Sequence, residues 1–76
     1  MNLEEAARQL RMAAHDAEVS FDLVGLGDLE RAHENAITAR AAIDAAELLL
    51  RDAMTSVPAQ EAAEAGERAV EALDQS

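Results

Sequence analysis

The sequence contains no cysteine, no lysine, one proline and one aromatic residue, Phe21. Without cysteine, the chain of 76 residues has neither a disulfide nor a thiolate metal site. A chain this short buries only about 60% of the surface that its unfolded form exposes, so its margin of stability is small. Small domains without disulfides or metals gain stability from further copies of themselves or from close helix packing. The absences therefore predict an oligomer or a tightly packed helical fold.

Positive charge is also scarce. The chain has six basic residues, all arginines, and its net charge is −10. Binding to a nucleic acid requires clustered Lys and Arg, so we expect no nucleic-acid partner and no binding to an anionic membrane surface. No run approaches the ~20 apolar residues of a membrane span. The segment MNLEEAARQL is acidic and amphipathic, unlike a signal peptide. These features predict a cytoplasmic protein.

The spacing of apolar residues predicts an all-α fold in a single domain covering residues 1–76. About a quarter of the residues are alanine, the strongest helix former. We expect helix 1 over about 3–24, helix 2 over about 29–55 and helix 3 over about 58–74. The short link between the first two helices predicts an antiparallel helical hairpin. A shorter third helix completes the chain, and the whole is expected to assemble into an oligomeric helical bundle.

The expected helix boundaries follow from capping residues. Asn2 has the side chain of an N-cap for helix 1, and Gly25 is expected to end that helix in the left-handed conformation, with Leu26 folding back on Phe21. Asp28 is the expected N-cap of helix 2. The second break falls at 57–58, because the residue before a proline disfavours helical geometry and Pro58 suits the first turn of helix 3.

Each of the first two helices carries an apolar seam with alternating spacings of three and four residues. The predicted seam of helix 1 consists of Leu3, Ala7, Leu10, Ala14, Ala17, Phe21 and Val24. The predicted seam of helix 2 consists of Leu29, Ala32, Ala36, Ala39, Ile43, Ala46, Leu50 and Ala53. Ion pairs four residues apart are expected for Glu4–Arg8, Arg40–Asp44 and Glu47–Arg51.

Helix 2 is apolar nearly all the way round, with a second stripe behind its seam. Such a helix is normally buried, so we expect helix 2 at the centre of the structure with partners on several sides. The expected partner is a second copy of the chain, most simply in a two-fold dimer, or another protein. The sequence leaves open whether helix 3 packs on its own chain or on a neighbouring one. The predicted interface residues are Ile37, Ala41, Ala45, Leu48, Leu49, Met12, Val19, Leu23, Val70 and Leu73.

Residues that could carry chemistry are few. Glu30 and His33 have the Glu-x-x-His spacing of di-iron carboxylate bundles, and Glu18 and Asp22 of helix 1 lie at a suitable height opposite them. Glutamates are frequent in this chain, so the spacing arises easily by chance, and these residues are interpreted as a solvated flank. His15 beside Asp16 is interpreted in the same way. The sequence thus predicts no catalytic residue, no metal site, no cofactor and no enzymatic activity.

The function favoured by the sequence is protein–protein interaction, as a small oligomeric scaffold or adaptor without catalytic chemistry. The alternative is an acidic inhibitor or nucleic-acid mimic, as in phage-encoded or antitoxin-like proteins, that occupies a basic cleft of a regulatory or nucleic-acid-binding protein. A metal-binding helical bundle is the third hypothesis.

Overall fold

The computed structural model describes residues 3–75 and contains three α-helices there: α1 (Leu3–Gly25), α2 (Leu29–Ser56) and α3 (Ala59–Asp74). The described part of the chain contains no β-strand, so the predicted all-α class is confirmed. Each boundary lies within one residue of its predicted position. The predicted N-cap Asn2 lies outside the described residues. Within 3–75, no helix has both the length and the apolar character needed to cross a membrane.

The end of α1 is closed by Gly27, whose φ is +76°. The Gly27 N–H donates to the carbonyl of Val24 at 3.0 Å, and the Asp28 N–H donates to the carbonyl of Leu23 at 3.0 Å. These two hydrogen bonds form a Schellman motif, which needs a left-handed residue at this point. The prediction that Gly25 ends the helix in this conformation is wrong, because Gly25 is still helical and the reversal occurs two residues later.

This shift of the reversal changes the surroundings of Leu26. Leu26 is 80% exposed and Phe21 is 77% exposed, so the predicted contact between them is not formed. Both side chains are left at the surface near the link between α1 and α2.

The link between α1 and α2 is short because Asp28 both closes the end of α1 and caps the start of α2. Besides closing α1 with its backbone, its Oδ1 accepts a hydrogen bond from the Arg31 N–H at 3.2 Å, which confirms Asp28 as the N-cap of α2. Val57 is extended (φ −107°, ψ 120°) and ends α2, as expected for a residue before proline. Pro58 is the cap of α3 rather than a member of its first turn, one residue away from the prediction.

A pair of alanine substitutions tests this assignment of the two glycines. Gly27→Ala should lower the free energy of unfolding by about 1–2 kcal/mol, because a left-handed residue with a Cβ is strained. Gly25→Ala should be neutral or raise it by up to about 1 kcal/mol, since alanine favours the helix. An added Cβ meets no atom within 4 Å at either position, so packing does not confuse the comparison. Urea denaturation followed by circular dichroism measures both; equal effects would contradict the assignment.

The packing of α1 on α2 pairs residues from opposite ends of the two helices. The Ser20 hydroxyl, late in α1, donates to the carbonyl of Ala32, early in α2, at 2.7 Å. Leu10 and Ile43 line one groove, while Leu3 and Leu50 line another. Between the helices runs a line of buried and half-buried residues that we call the alanine seam. Its members are Ala6, Gln9, Ala13, Asp16, Ser20 and Leu23 of α1, and Ala32, Asn35, Ala39, Ala42, Ala46, Leu49 and Ala53 of α2.

The predicted seam of α1 is wrong by one residue along most of its length, since Leu10, Phe21 and Val24 are exposed. On α2 the predicted seam and the alanine seam share four positions, and all four are alanines. Ile43 and Leu50 belong to the predicted seam alone, and both are exposed. The physical reason is side-chain size: alanine lets helix axes approach closely, and adjacent registers of these helices have the same three–four spacing. The prediction selected the register with bulkier residues, while the chain buries the one with smaller residues.

Helix α3 packs on α1 rather than on α2 among the described residues. Its buried residues Ala65 and Ala69 lie in a groove with Leu3, and Arg11 Nη2 of α1 contacts Asp74 Oδ1 of α3 at 3.0 Å. This ion pair is exposed, and such pairs contribute little, about 0–1 kcal/mol. The central helix is therefore α1, and the prediction that helix 2 occupies the centre is wrong.

Candidate interaction surface

The chain exposes more surface than a compact protein of its mass. Its accessible surface is 5450 Å², whereas a folded monomer of 8.1 kDa has about 4500 Å². Its radius of gyration is 14.8 Å, against about 11 Å for a compact domain of this length. The excess is roughly 950 Å² relative to the surface of a compact monomer, and it follows from the elongated shape, with dimensions of 47 × 25 × 15 Å.

Large apolar side chains occupy much of that surface. Leu23 is the one large side chain in the buried hydrophobic core of the described residues, and the other nine members of that core are alanines. Proteins usually bury Leu, Ile, Phe and Met and expose only small apolar patches. Here the usual distribution of side chains is reversed, because the small alanines are buried and the large apolar side chains are exposed. The exposed large apolar residues are Leu10, Met12, Phe21, Val24, Leu26, Leu29, Ile37, Ile43, Leu48, Leu50, Met54 and Val70.

One side of the alanine seam is apolar along its whole length, and we call it the aliphatic face. Residues seven apart lie on nearly the same side of a helix, and Leu10 shares a groove with Ile43, Leu50 and Met54. The eight positions that flank the seam on this side are all uncharged and apolar. They are Leu3, Leu10, Ala17 and Val24 of α1, and Leu29, Ala36, Ile43 and Leu50 of α2.

The opposite side of the seam has a different composition, and we call it the mixed face. The corresponding eight positions there are Glu5, Met12, Val19 and Leu26 of α1, and Arg31, Thr38, Ala45 and Asp52 of α2. Three of these positions are charged and one is a threonine. Charged groups keep their hydration on a free surface, and removing it costs free energy unless each charge is paired.

The residues predicted for an interface are divided between the surface and the interior. Leu23 is 7% exposed and lies in the alanine seam, so it is enclosed by its own chain. The exposed members are Met12, Ile37, Ala41, Leu48 and Val70. The half-buried members are Val19, Ala45, Leu49 and Leu73. Because α3 packs on α1, it does not cover the predicted second stripe of α2, which consists of Ile37, Ala41, Ala45 and Leu48.

Sequence reasoning missed the aliphatic face because it placed most of these residues inside the hairpin. The aliphatic face has the same seven-residue repeat as the alanine seam, and its larger members are leucine, isoleucine and valine. Helix periodicity locates such a stripe but does not state whether it packs within the chain or outside it.

The charged border of the aliphatic face lies on α2. Glu47 lines the groove with Leu10 and Ile43, and its carboxylate contacts Arg51 at 2.7 Å, which confirms that predicted pair. The predicted Glu4–Arg8 pair is also formed, at 3.6 Å. The predicted Arg40–Asp44 pair is not formed, and Arg40 has no ion pair among the described residues. Arg40 lies seven residues before Glu47, so it borders the same face.

The Glu-x-x-His motif does not acquire further ligands within the chain. Among residues 3–75, no three His, Asp or Glu side chains are grouped closely enough to hold a metal ion. Glu18 and Asp22 therefore do not complete a ligand set with Glu30 and His33.

Comparison with known proteins finds no family model, no curated protein and no solved structure that matches this chain. The class that the helices define is a three-helix, all-α protein.

Proposed function

We propose that this chain is a small acidic protein–protein interaction module that assembles with itself, acting as an oligomeric scaffold or adaptor without catalytic chemistry. In this proposal α1 and α2 form an antiparallel hairpin that pairs with the hairpin of a second copy. The observation that carries it is the reversed distribution of side chains, with alanines buried and large apolar residues exposed.

Transfer of these exposed side chains from water into a contact between two copies would stabilise the assembly. Full burial of a leucine, isoleucine, phenylalanine or methionine contributes about 1.5–3 kcal/mol. Within the described chain Leu23 is the one such side chain in the core, which is a weak basis for stability in so short a protein. Domains normally bury the apolar side of their helices against a second layer, and here a second copy would supply that layer.

Net charge opposes this assembly. Two copies that each carry −10 repel one another, so contact through acidic surfaces would be unfavourable. Apolar burial does not depend on charge, and it is the interaction that offsets the repulsion.

The solution mass tests the proposal. Light scattering after size exclusion, over a dilution series, should give about twice the chain mass of 8.1 kDa, with dissociation into single chains only at the lowest concentrations. A mass of one chain at every concentration would overturn self-assembly.

Salt should strengthen the assembly. Raising the salt concentration from about 0.05 M to about 0.5 M shortens the range of electrostatic repulsion well below 10 Å, so the dissociation constant of the dimer should fall. Sedimentation equilibrium at both salt concentrations measures it. The alternative function, an acidic inhibitor bound to a basic partner, predicts the opposite for its own complex, because salt weakens attraction between unlike charges. Dissociation of the homodimer by salt would contradict an interface made by apolar burial.

A further inference from the structure

We infer that the second copy docks on the aliphatic face and leaves the mixed face in water. This inference rests on the proposed self-assembly and adds the surface through which it occurs. It differs from the stripe that the sequence suggested, since Ile37 and Leu48 lie outside the aliphatic face.

The composition of the two faces is the first argument. Leu3, at one end of the aliphatic face, already shares grooves with Ala62, Ala65 and Ala69 of α3. A second copy would cover the other seven positions, and none of them carries a charge. Docking on the mixed face would take from water the Glu5–Arg8 and Arg31–Asp28 ion pairs and the carboxylate of Asp52, which costs free energy for each charged group. Charged residues are characteristically depleted at the core of protein interfaces, as they are on the aliphatic face.

The area is the second argument. The chain exposes roughly 950 Å² more than a compact monomer of its mass, and a stable dimer buries about 800 Å² on each partner. The excess is therefore large enough for one dimer contact of ordinary size.

The shape of the aliphatic face is the third argument, because its two ends complement each other. At one end Phe21 borders the face, because it lies four residues after Ala17 and three before Val24 on α1, and it is 77% exposed. At the other end Leu10, Ile43, Leu50 and Met54 line a mostly apolar groove, to which the Glu47–Arg51 ion pair also contributes. A two-fold copy packed with its helices reversed would place its Phe21 beside this groove, and the two-fold operation would repeat that contact.

The middle of the face suits the same arrangement. Ala17 and Ala36 are small, so the helices of two copies can approach closely there. Both chains repeat their apolar residues every seven positions, which is the repeat that lets side chains of facing helices interdigitate in a bundle. A second copy of the chain necessarily has the same repeat, whereas an unrelated protein would need a matching one. The repeat therefore favours a second copy as the partner.

The test compares two isoleucines of α2 that differ in the face they occupy. Ile43 is 47% exposed on the aliphatic face, and Ile37 is 43% exposed outside it. Ile43→Glu should raise the dissociation constant of the dimer by roughly 100-fold or more, because an unpaired carboxylate would be buried at the contact. Ile37→Glu should change it by less than about 3-fold, since the new charge stays in water. Both variants are measured by light scattering and circular dichroism.

A second variant tests the same contact in case Ile43→Glu prevents the chain from folding. Phe21→Ala removes an exposed side chain, so the helical content should be kept, while the dissociation constant rises by roughly 10-fold or more. An unchanged constant for Phe21→Ala would overturn the docking arrangement.

The outcomes separate this inference from the proposed function. A wild-type chain that is monomeric at every concentration removes the proposed self-assembly itself. If the wild type is a dimer and Ile37→Glu dissociates it, self-assembly stands but the aliphatic face is not its site. This conclusion holds whether or not Ile43→Glu also has an effect.

Discussion

Replacement of Leu23 by alanine is expected to lower the free energy of unfolding by about 2–5 kcal/mol, the range for truncation of a buried leucine. Leu23 is 7% exposed and, within residues 3–75, is the one large apolar side chain of the buried core, at the end of α1 where the chain turns into α2. A chain of 76 residues has a total stability of about 4–11 kcal/mol. The substitution should therefore remove a large part of it and leave a fraction of the molecules unfolded at 37 °C.

The matched control is Leu26→Ala, three residues further along the chain. Leu26 is 80% exposed, so its truncation should change the free energy of unfolding by less than about 0.5 kcal/mol. Urea denaturation of both variants at one protein concentration gives the comparison. Equal losses would show that Leu23 is not enclosed by the α1/α2 pair.

Enlargement of Ala46 to leucine should be the second most damaging change. Ala46 is 0% exposed at the middle of the alanine seam, so a larger side chain forces the axes of α1 and α2 apart. Overpacking of this kind costs about 1–3 kcal/mol. The thermal unfolding midpoint, read by circular dichroism, should fall by several degrees, roughly 4–8 °C for each kcal/mol lost.

Ala41→Leu is the control for this substitution, because it makes the same change in the same helix at an exposed position. Leucine and alanine are both good helix formers, so the midpoint should stay close to that of the wild type. A midpoint for Ala46→Leu as high as that of Ala41→Leu would refute the close approach of the helices at the alanine seam.

Local structure was largely predictable from the sequence because its signals are carried by neighbouring residues. The two breaks between the helices follow from glycine, aspartate and proline, and Asp28 caps α2 as expected. The pairs Glu4–Arg8 and Glu47–Arg51 need only a spacing of four residues on a helix. The position of the helix reversal was not predictable to the residue, because Gly25 and Gly27 both tolerate a positive φ.

The choice of buried register was not accessible in the same way. Ala13 and Ala14 are adjacent on α1, and each belongs to a line of residues with the same three–four spacing. The chain buries Ala13 and exposes Ala14. That choice depends on how closely α2 approaches, which is a property of two helices together. The site of α3 is a similar case, since its alanines would suit either neighbour, and it packs on α1.

By itself the sequence determined that this protein is helical, where each helix begins and ends, and that no disulfide is available to stabilise so small a domain. Only the tertiary structure decided which residues are enclosed, namely a seam of alanines with Leu23, and which large apolar residues remain at the surface. The physical reason is that helix formation depends on contacts a few residues apart along the chain. Burial depends instead on the distance between helix axes, which is set by the size of side chains that are far apart in sequence.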